Sequence, residues 1–554
     1  MTAAAPSRPS WIGPLAGGAV GAAFLLALSG LRPLDPTEVG WVMKFDWVPH
    51  YFGWYFFRVE PWHWPPGRIE GYYAPFGTAV GLTDAIPLAA YLLKPLAPWL
   101  PRHFQYIGPW WLLSFTLQGA FAARLLGRWV AVPHQVLGAA LFVLLPTLLA
   151  RVAHAALCSH WLLLWALLVA TREPPRRMRA TEWAALGLLA GMIQPYLAAM
   201  VLTLLGAVVL AGAPVAWPVR LRALASALAA TLLGWWVSGL FNLTEGGALA
   251  AEGLGVFSMN LLGFINPAGW SRVLPSWPIA GVGQEVEGFH YLGLGVLALL
   301  VAATTLRRRG GREAAAPLWP RPLIAVCLVM TAFAISPRVT LGADVIADLN
   351  GAWSAPLALF RSSGRFVWPL TYLLVTWGIV TVARRLPARA ATATLALAVG
   401  VQLADLHHIH VDRRNATHDP AFYAWEQPFR DDRWPAIARH YRHVVLAPPP
   451  QCRPAAVPAL APSIRFAAEH GLTINSGILS RHEEVTRARY CEGLTADLDA
   501  GTLADDSLYL VPTDRAPALR AAGRGAVVCG TLDAVTMCST AAAAAPWRDL
   551  LPLD

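Results

Sequence analysis

Long apolar runs separated by short basic loops dominate the first four hundred residues. The first run, Trp11 to Leu31, is about 21 residues long, enough for a helix to cross a hydrocarbon core of ~30 Å. It carries no small-residue cleavage site, so it reads as a retained span rather than a removed leader. The loops "REPPRRMR" (Arg172 to Arg179), "RRRGGR" (Arg307 to Arg312) and "RRLPAR" (Arg384 to Arg389) are basic, as are the Arg124/Arg128 and Arg220/Arg222 pairs. Basic loops face the cytoplasm. Placing all of them there predicts eleven spans, at about 11–31, 106–126, 130–149, 153–170, 183–194, 196–212, 223–241, 289–306, 322–336, 366–383 and 390–404. The fifth and sixth are separated only by "QPY" (Gln194 to Tyr196). The stretch "TDAIPLAAYLLKPLAPWLP" (Thr83 to Pro101) is apolar but Pro-broken and holds Lys94, so it is expected to lie on the membrane surface.

The pattern changes after residue 405. Strand-like runs "HVVLAP", "LTINSG", "SLYLVP" and "AVVCGTLDAVTMC" alternate with helix-like "APSIRFAAEHG" and "APALRAAGRG". The expected fold is mainly α: a transmembrane domain over 1–405, then a small soluble α/β domain over 406–554. With eleven spans this tail lies outside the cytoplasm. Cysteine usage agrees, because Cys452, Cys491, Cys529 and Cys538 all fall in the tail, and disulfides suit an oxidising compartment. Proximity along the chain favours Cys452–Cys491 and Cys529–Cys538.

Composition supports a membrane solvent. Only 14% of residues are charged and 56% are hydrophobic, against ~25% charged in soluble domains. The net charge of +10 resides in the short loops, which points to membrane topology rather than nucleic acid. The 25 tryptophans fit interfacial belts and sugar-stacking surfaces equally well.

Candidate chemistry gathers in the three long external loops, 32–105, 242–288 and 337–365. In "FDWVPHYFGWYFFR", Asp46 and His50 are four apart, and a helix would put them on one face. A carboxylate at an apolar boundary suits a general base, and His50 an orienting partner. The bland alternative is an N-cap and a packed histidine. Arg58 would tie the loop to a phosphate or a neighbouring acid. "LFRSSGRFVWPL" places Arg361 and Arg365 at a span mouth, where two guanidiniums could clamp a phosphate; snorkelling to lipid headgroups is the alternative. "GQEVEGFHYLGLG" brings Glu285, Glu287 and His290 to another mouth, and "RVAHAALCSHW" brings Arg151, His154 and His160. Asp84, Glu287, His154 and Tyr196 are expected to support substrate binding. Acids and histidines permit a divalent metal, but their spacing matches no ligand signature, so no metal ligands are assigned and no cofactor is required.

An acid just past the first span, on a large external loop with interfacial helices, resembles the GT-C superfamily of membrane glycosyltransferases. The patterns "DWVPHYFGWYFFR", "TDAIPL", "FQYIGPWWLLSFTLQG", "EGFHYLGLG" and "RSSGRF" look more specifically like an uncharacterised bacterial family of GT-C-like proteins. The resemblance spans about 1–405. It implies transfer of a sugar from a polyprenyl-phosphate carrier to a glycan, lipid or protein acceptor on the periplasmic face of the bacterial inner membrane. Asp46 takes the place of the superfamily's first-loop acid, and Arg361 and Arg365 would hold the lipid phosphate. Many relatives pair two acids at the first site, whereas Trp47 follows Asp46 here, which counts against a metal-dependent mechanism. Two other classes fit the composition: a flippase for lipid-linked saccharides, and a non-catalytic envelope assembly protein. A flippase would place ionisable groups at mid-membrane, whereas here they cluster at span ends.

Overall fold

The computed structural model describes residues 11–173, 176–211, 215–241, 253–309, 318–351, 355–452, 460–481 and 484–548. Parts of the second and third expected external loops, 242–252 and 352–354, lie outside them. The chain forms two compact units: 1–38 with 105–234 and 251–422, and 39–104 with 235–250 and 423–554.

The first unit is helical. Among its helices are Ile12–Ser29, Ile107–Leu126, Val132–Val143, Ala180–Ile193, Pro195–Leu210, Leu294–Arg309 and Trp368–Arg385. Glycines on Ile12–Ser29 and Ile107–Leu126 let the two backbones touch: a Cβ on Gly119 would lie 2.0 Å from the Gly17 carbonyl oxygen. The expected break at "QPY" is present, since Ile193 closes one helix and Pro195 opens the next. Pro at the first helical position is favoured there because its missing N–H is not needed.

The count of eleven spans is not reproduced. Two described helical segments are long and apolar enough to cross a membrane, Ile12–Ser29 and Ser363–Arg385, and a third counts if Ala388–Asp405 and His407–His418, bent by 58°, form one span. Several others, such as Val132–Val143 and Arg321–Ala334, have 10–17 residues. At 1.5 Å per residue such helices are roughly 15–26 Å long, short of a ~30 Å core. Pro146 and Pro195 punctuate the apolar runs that hydropathy alone reads as continuous.

The second unit joins the first loop to the tail. The helix Trp47–Val59 is buried on all sides except at Val59. Its Gly53 permits close contact with Thr83, whose Oγ1 would lie 2.0 Å from an added Cβ. Tyr72 pairs with Ile474 in a parallel bridge, and Ala74 N–H donates to the Ile474 carbonyl at 2.8 Å. The tail folds into a five-stranded sheet in the order Thr473–Ile474, His443–Leu446, Ser507–Val511, Val535–Thr540, Val527–Leu532. The first three strands are parallel and the last two antiparallel to their neighbours. Both expected disulfides are formed, Cys452–Cys491 and Cys529–Cys538. Cys529 and Cys538 face one another across the antiparallel pair.

Candidate functional site

The polar centre of the first unit is built on Glu287. Its Oε2 accepts from Arg151 Nη1 at 2.5 Å and from Arg365 Nε at 2.7 Å. Its Oε1 lies 3.1 Å from His154 Nε2. Arg151 Nη2 also donates to the Val286 carbonyl. The three charged side chains are 2–9% exposed. One carboxylate thus serves two guanidiniums out of reach of bulk water.

Local sequence explains the meeting. Glycine follows Glu287 and precedes Arg365, and both glycines allow backbone approach. A Cβ on Gly288 would lie 2.3 Å from the Ser258 carbonyl oxygen, and one on Gly364 would lie 2.8 Å from that of Phe257 and 3.1 Å from the Gly288 Cα. Gly364 N–H donates to the Phe257 carbonyl at 3.1 Å. The loop below is held by buried amides: Asn260 Nδ2 donates to Gln284 Oε1 at 3.1 Å and to the Gly342 carbonyl at 2.8 Å, while Gln284 Nε2 donates to Thr340 Oγ1 at 2.7 Å. Arg151 enters from the turn after the short helix Pro146–Leu149.

Tyr196 completes the wall. Its hydroxyl accepts the Ser362 N–H at 3.0 Å, and its ring centre lies 4.4 Å from the Arg365 guanidinium carbon. Burial pushes the Glu287 carboxyl pKa up, but Arg365, Arg151 and His154 together outweigh it and hold it well below the usual glutamate range. Glu287 therefore stays ionised through the neutral range. Paired guanidiniums with a fixed fork are suited to a phosphate or another multi-oxygen anion.

Of the residues expected to act, Glu287, Arg365, His154 and Tyr196 come together here. Arg361 does not share the carboxylate: its guanidinium carbon lies 5.9 Å from the Phe257 ring centre. The arginine pair on Glu287 is Arg151 with Arg365, not Arg361 with Arg365. Spacing along the chain could not show this, because Arg151 is 136 residues from Glu287. The readable signal was a cation beside His154 at a span end.

Asp46, His50, Arg58 and Asp84 belong to the second unit. The helix begins at Trp47, so Asp46 occupies its N-cap position with an exposed side chain that makes no capping hydrogen bond. His50 is buried, and its Nδ1–H donates to the Asp46 main-chain carbonyl at 2.9 Å. The expected pairing of two side chains on one helix face is thus a contact from ring to backbone. Arg58 is committed elsewhere: it donates to the carbonyls of Pro101 at 2.9 Å, Ala97 at 3.2 Å and Leu100 at 3.3 Å. It fastens the segment 97–101, and its terminal nitrogens are taken up by these carbonyls. Asp84 is half-buried with φ 55°, two residues before Ile86 at φ 50°. Left-handed backbone at a β-branched residue is strained. The strain is held where Thr83 packs against Gly53. Among the described residues, no group of three or more His, Cys, Asp or Glu side chains is placed to hold a metal ion.

No curated protein matches the chain by sequence. Solved structures similar to it include the oligosaccharyltransferase of Archaeoglobus fulgidus in complex with zinc and sulfate. That match has 12% identity and a TM-score of 0.38, covering 91% of this chain and 68% of that one. The archaeal oligosaccharyltransferase AglB from the same organism, in complex with an inhibitory peptide and a dolichol-phosphate, matches at 12% identity and a TM-score of 0.39, covering 90% and 69%. These are members of the GT-C superfamily. A profile described as DUF6311 C-terminal domain matches residues 433–540. The profile described as Domain of unknown function (DUF6311) matches residues 18–407, and the chain belongs to that family.

Proposed function

We propose that this protein is a membrane glycosyltransferase that takes a sugar from a polyprenyl-phosphate donor, on the periplasmic face of a bacterial inner membrane. The observation that carries the reading is the buried Arg151–Glu287–Arg365 cluster, with His154 on the second carboxylate oxygen. The sequence resemblance to GT-C enzymes supports it independently. A phosphate leaving group gains negative charge as the bond from its oxygen to the anomeric carbon breaks. Fixed guanidiniums in a dry setting stabilise such charge without reorganising. Glu287 holds both forks in place while no phosphate is bound, and Tyr196 backs Arg365.

The second element is Asp46. Its exposed carboxylate is the acceptor-side base in this reading, taking the proton from an acceptor hydroxyl as that oxygen bonds to the anomeric carbon. The acceptor is a glycan, a lipid or a protein hydroxyl. His50 holds the start of the helix through the Asp46 carbonyl.

The test is transfer from polyprenyl-phosphate hexoses by purified protein, followed as release of polyprenyl phosphate. Asp46→Asn keeps size and most hydrogen bonding but cannot accept the proton, so transfer should fall by ~10²–10⁴ with donor binding retained. Near wild-type transfer by Asp46→Asn would remove the base assignment.

A further inference from the structure

The tail sheet contains a feature that the transferase reading does not use. From strand His443–Leu446 the chain runs through helix Leu460–Glu469 to the edge strand Thr473–Ile474. It then returns through helix Glu484–Ala500 to Ser507–Val511, on the other side of the first strand. The connection that leaves His443–Leu446 thus runs to one side of the sheet, and the one that leaves Ser507–Val511, through helix Ala516–Ala522 to Val527–Leu532, runs to the other. In open α/β sheets this switch point, beyond the carboxyl ends of the strands, is where ligands bind. A cavity of about 530 Å³ lies there, walled by Leu446 and Pro448 from one strand end and Leu510 to Thr513 from the other. Its volume is in the range of small-molecule sites.

The lining tells which ligand. Switch-point sites for phosphates and nucleotides rely on main-chain N–H groups at a Gly-rich turn. Here proline follows both strands, at Pro448 and Pro512, and proline has no N–H. Main-chain donors beside the cavity are turned onto Asp533, whose Oδ2 accepts the Arg430 N–H at 2.7 Å, the Asp431 N–H at 2.8 Å and also Trp434 Nε1–H at 2.9 Å. The rest of the polar wall is rich in oxygen, from the Glu426 and Asp533 carboxylates and the hydroxyls of Ser463, Thr513 and Thr536, the last two hydrogen-bonded to each other at 2.8 Å, with Gln427 beside them. The one guanidinium, Arg430, has its Nε on the Gln427 carbonyl at 2.8 Å. Leu446, Leu510 and Val535 supply apolar surface between these groups. An acceptor-rich wall with apolar patches suits a ligand that donates many hydrogen bonds and also presents C–H faces.

We infer that this switch-point cavity binds a neutral saccharide. If the transferase reading holds, the bound saccharide is the acceptor glycan, but the site's binding does not depend on that reading. Glu426 and Thr513 are exposed at the rim; Thr513→Val gives up the hydroxyl contact with Thr536, but Thr536 keeps its 3.1 Å contact with Thr531, so the sheet should stay intact.

The experiment uses the full chain in nanodiscs, free of sugar-headed detergent. Saturation-transfer difference NMR is recorded with N-acetylglucosamine, mannose, galactose and lactose, with inorganic phosphate and spermidine as competitors. At least one saccharide should show transfer, and Glu426→Gln with Thr513→Val should weaken it by about tenfold or more, the scale of losing a charge-assisted hydrogen bond. Neither phosphate nor spermidine should displace it. Absence of signal from all four sugars, an unchanged signal in the double variant, or displacement by phosphate or spermidine would each overturn the inference. Polyprenyl-phosphate binding is measured on the same samples. Its retention alongside lost saccharide binding defeats this site alone, and the reverse defeats the transferase reading alone.

Discussion

Glu287→Gln is the most informative single change. The amide keeps the shape but removes the carboxylate charge that Arg151, Arg365 and His154 share. Both guanidiniums are less than a tenth exposed, so bulk water is poorly placed to take over from the carboxylate. Breaking a buried pair by removing one member costs ~3–5 kcal/mol. With an unfolding entropy of ~2.1 cal/mol/K per residue, a cooperative unit of this size should melt roughly 4–7 °C lower. The assay is thermal unfolding in nanodiscs, at fixed scan rate because membrane proteins often unfold irreversibly. The second arm adds polyprenyl phosphate. If its phosphate docks on these arginines, it replaces the missing charge, and the variant should regain more Tm than wild type gains. The carboxyl of Glu287 is held well below the usual range, so in wild type the ionic contribution is present above the ordinary glutamate pKa. It is lost only as pH falls through the lowered value. Wild-type Tm should therefore be insensitive to Glu287 between pH 5 and 8. An unchanged Tm in Glu287→Gln, or a drop that polyprenyl phosphate does not reverse, would refute this account of the cluster.

Three further outcomes are expected. Arg365→Lys should keep the charge but lose the fork and the stack on Tyr196, weakening polyprenyl-phosphate binding about tenfold, as read by fluorescence titration; equal affinity would show that a point charge suffices. Lys94 Nζ lies 4.0 Å from the Phe57 ring centre and 4.5 Å from that of Trp62, and burial pulls its pKa down to about 8 against a weaker lift from Glu60. The unfolded lysine stays protonated to higher pH, so stability should rise as pH passes about 8; Lys94→Met should lose that rise, and a pH profile identical to wild type would contradict it. In a chain-entropy account, opening Cys452–Cys491 by paired serines should cost ~4 kcal/mol and opening Cys529–Cys538 ~2.5 kcal/mol, measured by denaturant unfolding; the reverse order would show that loop length does not govern them.

Elements with strong periodicity or composition were legible. The helix Ile107–Leu126, the break at Gln194 and the strands of the tail appear near where their patterns place them. So do both disulfides, because each joins cysteines that are near neighbours in sequence. Span lengths were not legible, since hydropathy averages over proline breaks that backbone geometry must respect. The site was half legible. Glu287, Arg365, His154 and Tyr196 stood out as ionisable or aromatic groups at span ends, but their joining depends on Gly288 and Gly364 meeting across the fold. No local pattern encodes that approach, or the choice of Arg151 over Arg361. Arg58 misled because an arginine in an aromatic loop looks the same whether it meets a phosphate or the carbonyls at the end of a helix. The grouping of residues 39–104 with 423–554 rests on contacts such as Tyr72 with Ile474, hundreds of positions apart.

On the proposed reading, the Arg151–Glu287–Arg365 cluster recognises a lipid-linked phosphate. Native mass spectrometry of the purified protein, with equal amounts of polyprenyl phosphate and the uncharged polyprenol, tests it most directly. A one-to-one adduct with the phosphate form is expected, strongly preferred over the alcohol, with that preference lost in Arg365→Ala. Equal retention of the two lipids by wild type, or a preference untouched in Arg365→Ala, would contradict it.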